Sequence, residues 1–154
     1  MADKVRTCLW FPERGAEAAE FYVSLIPGSA VEGHVGRNAA GEPLMVDFHL
    51  GGVPYQILNG GPHYVLTPAA SIAVTTADQA ETDRLWAALI ADGGEESRCG
   101  WLVDRFGLSW QIIPRALPRL VGGPDPEGAA RATQAMMGMR KIDVAALEAA
   151  YHGR

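Results

Sequence analysis

"GLSWQII", residues 107–113, and "GVPYQIL", residues 52–58, carry the reading of the fold. Each opens on glycine, sets a glutamine directly after an aromatic residue, and closes on branched apolar residues. Tyr55 stands where Trp110 does, Gln56 where Gln111 does, and Ile57 where Ile112 does. A second self-similarity lies upstream of each stretch. "TCLWFPERGAEAAEFYVSLIPG" from Thr7 overlays "SIAVTTADQAETDRLWAALIAD" from Ser71, with Ala16-Glu17 on Ala80-Glu81, Phe21-Tyr22 on Leu85-Trp86 and Leu25-Ile26 on Leu89-Ile90. One pairing is offset by 64 residues and the other by 55. A duplicated unit with a shorter middle in its second copy accounts for both.

Each copy reads as strand, helix and three strands. In the first, residues 4–11 are rich in β-branched and aromatic residues and read as a strand. Residues 16–26 place Ala18, Phe21, Tyr22, Leu25 and Ile26 on one helical face, and Pro27-Gly28 stops that helix. Strands follow near 30–36, 44–50 and 53–59, with "NAAGEP" as a hairpin loop. In the second copy residues 70–76 form a strand. Asp78 with Glu81 three residues on is a capping pattern, and the helix it starts buries Leu85, Trp86, Leu89 and Ile90 before Gly93-Gly94. Short strands near 95–98, 100–104 and 108–113 complete it. "GGPHYVLTP", residues 60–68, links the copies. Beyond Arg115, "LPRLVGGPDPEG" reads as a loop. Asp125 caps a helix with Pro126 at its first position, running to about Met139, and Asp143 starts a last short helix. Met136, Met137 and Met139 fit either a ligand pocket or ordinary core and oligomer contacts.

Composition narrows the function classes. The 154 residues are 48% hydrophobic and 20% charged, with a formal net charge of −5. That is a globular chain with no basic run to hold nucleic acid and no apolar run long enough to span a membrane. The first residues, "MADKVRTCLWF", lack a secretion signal, and the two cysteines, Cys8 and Cys99, suggest no disulfide framework, so the expected compartment is the cytoplasm.

Paired βαβββ modules resemble the vicinal-oxygen-chelate superfamily, the fold of glyoxalases, bleomycin-resistance proteins and extradiol dioxygenases. More closely, "ILNGGP", "CGWLVDRFGLSWQIIP" and "AMMGMRKIDVAAL" resemble the PhnB-like group, which often carries the label 3-demethylubiquinone-9 3-methyltransferase. The expected fold class is therefore α+β. Two glyoxalase-like half-barrels form a domain over 1–115 (module one 4–59, linker 60–68, module two 70–115), and 116–154 is a helical tail. The methyltransferase label meets no Gly-rich strand-to-helix turn with an acidic residue downstream; "GRNAAG", residues 36–41, sits in a hairpin.

The resemblance also implies a site. Metal enzymes of the superfamily take ligands from the first and fourth strands of each module, and those positions fall here on Thr7, Gln56, Ser71 and Gln111. The repeat pairs Thr7 with Ser71 and Gln56 with Gln111. Hydroxyls and amides offer no charge and little basicity to a transition metal, so no metal or other cofactor is expected. Glutamine keeps one acceptor and two donors, so the amides could orient a polar ligand or be satisfied within the core. Leu9, Phe11, Leu58 and Ile113 are expected to turn toward this site by period-two alternation. Trp101 is a candidate ligand wall, whereas Trp110 points to the helix layer.

Other candidates have plainer readings. Asp47 and His49 share a strand face and could relay a proton or bind metal, or simply face solvent. Cys99 could be a reactive thiol if its pKa were lowered, but with no helix N-terminus or basic cluster evident beside it, it reads more simply as a small buried hydrophobe. Asn59 caps its turn or faces a ligand. The expectation is a PhnB-like homodimer that binds a small, largely neutral molecule without metal. The alternatives are a metal-dependent lyase, isomerase or dioxygenase, and a non-catalytic sequestering protein of the resistance type. No catalytic residue is assigned.

Overall fold

A computed structural model describes residues 3–154. The chain divides into two compact units, one ending at Leu66 and the other running from Thr67 to Arg154, and each is built on one four-stranded sheet. The first contains β1 (Thr7–Phe11), α1 (Gly15–Leu25), β2 (Ala30–Arg37), β3 (Pro43–Leu50) and β4 (Val53–Asn59). The second contains β5 (Ser71–Thr76), α2 (Gln79–Ile90), β6 (Glu95–Glu96), β7 (Trp101–Val103) and β8 (Ser109–Pro114), then α3 (Ala116–Val121), α4 (Pro126–Met137) and α5 (Val144–Tyr151). The sheet orders are β1-β4-β3-β2 and β5-β8-β7-β6. In both, the first strand pairs parallel with the last and the other pairings are antiparallel. The duplication is thus a duplication of topology.

In the first unit alternation sends one row of side chains to α1. Leu9, Phe11, Val46, Phe48 and Ile57 are buried there against Ala18, Ala19 and Tyr22 of the helix. Tyr22 meets Phe48 at 6.5 Å between ring centroids, and Phe48 stacks on Tyr55 at 5.6 Å. Each fully buried side chain of this size contributes about 1.5–3 kcal/mol. The helix has no side-chain cap of its own: the preceding Arg14, in the left-handed region with φ 62°, has only donors and no acceptor to offer the first N–H groups. The orphan N–H of Gly15 instead donates to Asn59 Oδ1 at 2.8 Å. A Cβ on Gly15 would collide with Ile57 and Asn59, so glycine is required at that approach.

In the second unit the expected cap is present. Glu81 N donates to Asp78 Oδ1 at 2.9 Å, and Ala77 N donates back to Glu81 Oε2 at 2.7 Å. The Asp-Arg-Phe-Gly turn between β7 and β8 is organised by Asp104, which is 3% exposed. Its Oδ1 accepts from Phe106 N at 2.8 Å and Leu108 N at 3.1 Å, and its Oδ2 accepts from Trp110 Nε1 at 2.9 Å. Trp110 is fully buried, on the helix side as alternation predicts.

The tail departs from the sequence reading at one point. Residues 116–121 form α3 rather than loop. Pro118 sits in the first turn, where a missing N–H costs no intrahelical bond, and burial of Ala116, Leu117 and Leu120 outweighs weak local propensity. These side chains pack with Ala132, Ile142 and Leu147 into a small core that Met136 and Met139 adjoin. Met137 is 57% exposed. Gln79 ties α5 to α2, donating to Ile142 O at 3.0 Å and accepting from Val144 N at 2.8 Å. No helix among the described residues is long and apolar enough to cross a membrane.

Candidate functional site

Each sheet has a second face, turned away from its helix. In the first unit Cys8 lies level with Gln56, and Gln56 with Asp47. Trp10 lies level with Leu58, and Leu58 with Met45. In the second unit Ala73 is level with Gln111, and Gln111 with Trp101. Gln56, Leu58, Gln111 and Ile113 are half-buried, whereas their strand neighbours Ile57, Trp110 and Ile112 are fully buried. Both glutamines therefore stand on the open faces, as do Ser71, Leu58, Ile113 and Trp101.

Thr7 and Leu9 are placed differently from the sequence expectation. Leu9 and Phe11 are level with the buried Ile57 and Asn59, so they belong to the α1 face, and Thr7 shares their parity. The side chain beside Gln56 is Cys8. The reason is a slip inside the repeat. Gly15 and Gln79 start helices 64 residues apart, but Cys8 and Ala73, level with the two glutamines, are 65 apart. The turn after β5 is one residue shorter than the turn after β1, and a one-residue shift in a strand exchanges its faces.

The amides are partnered within their own units. Gln111 Nε2 donates to Ser71 Oγ at 2.9 Å, and Gln56 Nε2 donates to Asp47 Oδ1 at 3.2 Å. Their carbonyl oxygens have no hydrogen-bond partner among the described residues. Ser71, having accepted, keeps its hydroxyl proton for another acceptor. Burial, and then the Asp47 charge, push the Cys8 thiol up from its ordinary range. On the first face a protonated thiol and an amide leave Asp47, already engaged by Gln56, as the charged group beside them, and on the second an amide and a hydroxyl supply no charge, so neither face presents the charged or strongly basic donor set of a transition metal.

Asp47 and His49 have different partners: Asp47 accepts from Gln56, and His49 faces two other carboxylates. His49 Nε2 lies 2.7 Å from Asp3 Oδ2, and its Nδ1 contacts Glu32. Asp3, Glu32 and His49 are the one group among the described residues with three clustered metal-ligating side chains. Arg6 already holds both carboxylates, at 2.7 Å to Glu32 Oε2 and 3.3 Å to Asp3 Oδ2. Sequence reasoning missed Cys8, Arg6, Asp3 and Glu32. Only the β1 register and the β2–β3 pairing bring them to this face. Asn59 proves structural: it is 1% exposed, takes the Gly15 N–H and donates to Pro43 O at 2.7 Å. A groove of about 680 Å³ lies elsewhere, between the start of α2 and α5, lined by Gln79, Val144, Glu148 and Arg154 among others.

The sequence profile described as 3-demethylubiquinone-9 3-methyltransferase matches residues 3–113. The chain belongs to this family. A solved member of similar fold is the "putative 3-demethylubiquinone-9 3-methyltransferase, PhnB protein" of Bacillus cereus. It is 27% identical, with a TM-score of 0.65 over 73% of this chain and 99% of that one. Two more distant structures share the fold. One is the fosfomycin resistance protein FosX of Listeria monocytogenes, described with Mn(II) and a dihydroxypropylphosphonic acid, at 14% identity and a TM-score of 0.53 over 73% of this chain and 92% of that one. The other is a glyoxalase/bleomycin resistance protein/dioxygenase family enzyme of Burkholderia phytofirmans, at 11% identity and a TM-score of 0.50 over 73% and 98%. No curated protein matches the chain. This PhnB-like chain thus carries the family's strand framework.

Proposed function

We propose that this PhnB-like protein binds a small, largely neutral molecule on its open strand faces, as a homodimer and without a transition metal there. The observation that carries the reading is the hydrogen-bond state of the two glutamines. Each NH₂ group is anchored inside its own unit, to Ser71 or to Asp47, and each carbonyl oxygen is left as a fixed acceptor. Such an acceptor selects a hydroxyl or N–H on a ligand. Leu58, Ile113 and Trp101 supply apolar contact beside it. Asp47 disfavours an anionic ligand on the first face, and Arg6 is neutralised by Asp3 and Glu32. A phosphate would be buried without a counter-charge, at a cost of several kcal/mol.

Thermal-shift screening and calorimetry across neutral and anionic metabolites test this. Neutral hydroxyl- or amide-bearing compounds should stabilise the protein, and Gln111→Leu should abolish the effect of those that do. A preference for phosphorylated compounds overturns the reading, and turnover of a hit distinguishes an enzyme from a sequestering protein. The methyltransferase activity is not proposed: Pro12-Glu13-Arg14 follows β1 and Ala77-Asp78 follows β5, and neither is a Gly-rich turn. A metal-dependent lyase, isomerase or dioxygenase is the second reading, and the Asp3–Glu32–His49 group is what favours it. Elemental analysis showing one transition ion per chain, lost in His49→Ala, together with metal-dependent turnover would establish it instead. The dimer is supported by β2, an edge strand exposed along nearly its whole length, with Val35 61% exposed. Sedimentation should show a dimer, and if modules are exchanged between the chains the interface should exceed about 1,600 Å².

A further inference from the structure

The connection between α4 and α5 is stapled to the loop before β7. Cys99 N donates to Met139 O at 2.9 Å, and Gly100 N donates to Arg140 O at 2.8 Å. These backbone bonds fix the separation of two sulfur-bearing residues. Cys99 Sγ lies 4.0 Å from Met137 Sδ, and 3.5 Å from the carbonyl oxygen of Met136. Met136 and Met139 pack against the tail core, but Met137 turns outward and is 57% exposed. Met137 keeps more than half of its surface in solvent, so burial accounts for only part of its place beside a thiol.

We propose that Cys99 and Met137 form a binding site for a soft monovalent metal ion, Cu(I) or Ag(I). Thiolate and thioether sulfur select such ions over harder divalent ones. The separation suits a shared ion. With metal–sulfur bonds of about 2.3 Å, two sulfurs 4.0 Å apart subtend about 120° at the ion, the angle of trigonal coordination. Binding replaces the thiol proton by the metal: the S–H bond breaks, the proton leaves to solvent, and a neutral Cys99–Cu(I) unit forms with Met137 as a neutral second donor.

Two protein sulfurs leave the third trigonal position for an exogenous ligand. The adjoining cleft, about 370 Å³, is lined by Arg98, Met137, Gly138, Met139 and Arg140. The Arg98 side chain has no partner among the described residues, and Arg140 reaches only Glu96, at 3.5 Å. These guanidiniums suit an anionic third ligand such as a small-molecule thiolate, which would give the complex a negative charge. The site is separate from the strand faces and does not depend on their function.

The test is anaerobic competition of the reduced full chain for Cu(I) against bicinchoninate, a chromogenic Cu(I) chelator. The wild type and Cys8→Ser should each withdraw one equivalent, and Cys99→Ser should withdraw none. Met137→Leu, a swap of similar shape at an exposed position, should bind at least about tenfold more weakly, since even losing a group that only supports a ligand costs ten- to a hundredfold. Circular dichroism checks that the variants fold. X-ray absorption should show sulfur neighbours at about 2.3 Å. Failure of the wild type to compete, loss of the site in Cys8→Ser, or a folded Met137→Leu that binds like the wild type overturns the proposal.

Discussion

Replacing Asp104 should unfasten the turn that leads into β8. The carboxylate is buried and accepts from two backbone N–H groups and one indole N–H. Leu108 is 1% exposed and Trp110 0%, so their donors would be left dry, whereas Phe106 is half-buried and water can replace part of its loss. Two dry donors at about 1–3 kcal/mol each, plus a partly rehydrated third, put Asp104→Ala at roughly 3–6 kcal/mol destabilising. Asp104→Asn keeps Oδ1 for the backbone but points an NH₂ group at Trp110 Nε1, which should cost about 1.5–3 kcal/mol. The assay is urea unfolding followed by far-ultraviolet circular dichroism, arranged as a double-mutant cycle with Trp110→Phe. Removing the indole donor removes the clash, so the two changes should couple by at least about 1 kcal/mol. An Asp104→Asn protein as stable as the wild type, or a cycle additive within about 0.5 kcal/mol, would refute the assignment of Asp104 as the organiser of this turn.

Asn59→Ala should cost about 2–4 kcal/mol in the same assay, because it orphans the Gly15 N–H and the Pro43 carbonyl at a buried site; a change under about 1 kcal/mol would count against that role. Cys8 should react sluggishly with iodoacetamide near pH 8 although the residue is exposed overall, since partial desolvation of its sulfur and then Asp47 raise its thiol, and Asp47→Asn should speed the reaction measurably. Glu96 is held below the usual carboxylate range by the Trp86 indole and then by Arg140, and Asp83 by Lys141 and then Gln79. Both groups bind protons less readily folded than unfolded. Their contribution is therefore present above the ordinary carboxylate pKa near ~4 and is lost as pH falls through the depressed values. Glu96→Gln should flatten part of the acid side of the stability–pH curve, and an unchanged slope would refute this.

Much of this molecule was legible in its sequence because the signals are local and repeated. The 3.6-residue pattern of Phe21, Tyr22 and Leu25, the Asp78–Glu81 cap and the paired glutamines need no partner to be read. Together they fix the element order of both modules and the open-face position of Gln56 and Gln111. The Asp125–Pro126 and Asp143 starts of the tail helices are equally local. Three decisions belong to tertiary structure. Residues 116–121 are helical because a core built by α4 and α5 receives Leu117 and Leu120, a gain no local propensity records. Asn59 caps a helix 44 residues upstream, a partner set by the parallel pairing of β1 with β4. Cys8 rather than Thr7 stands beside Gln56 because register is fixed by hydrogen bonds between strands far apart in sequence. With a side-chain period of two, one residue in one turn decides which face a side chain occupies.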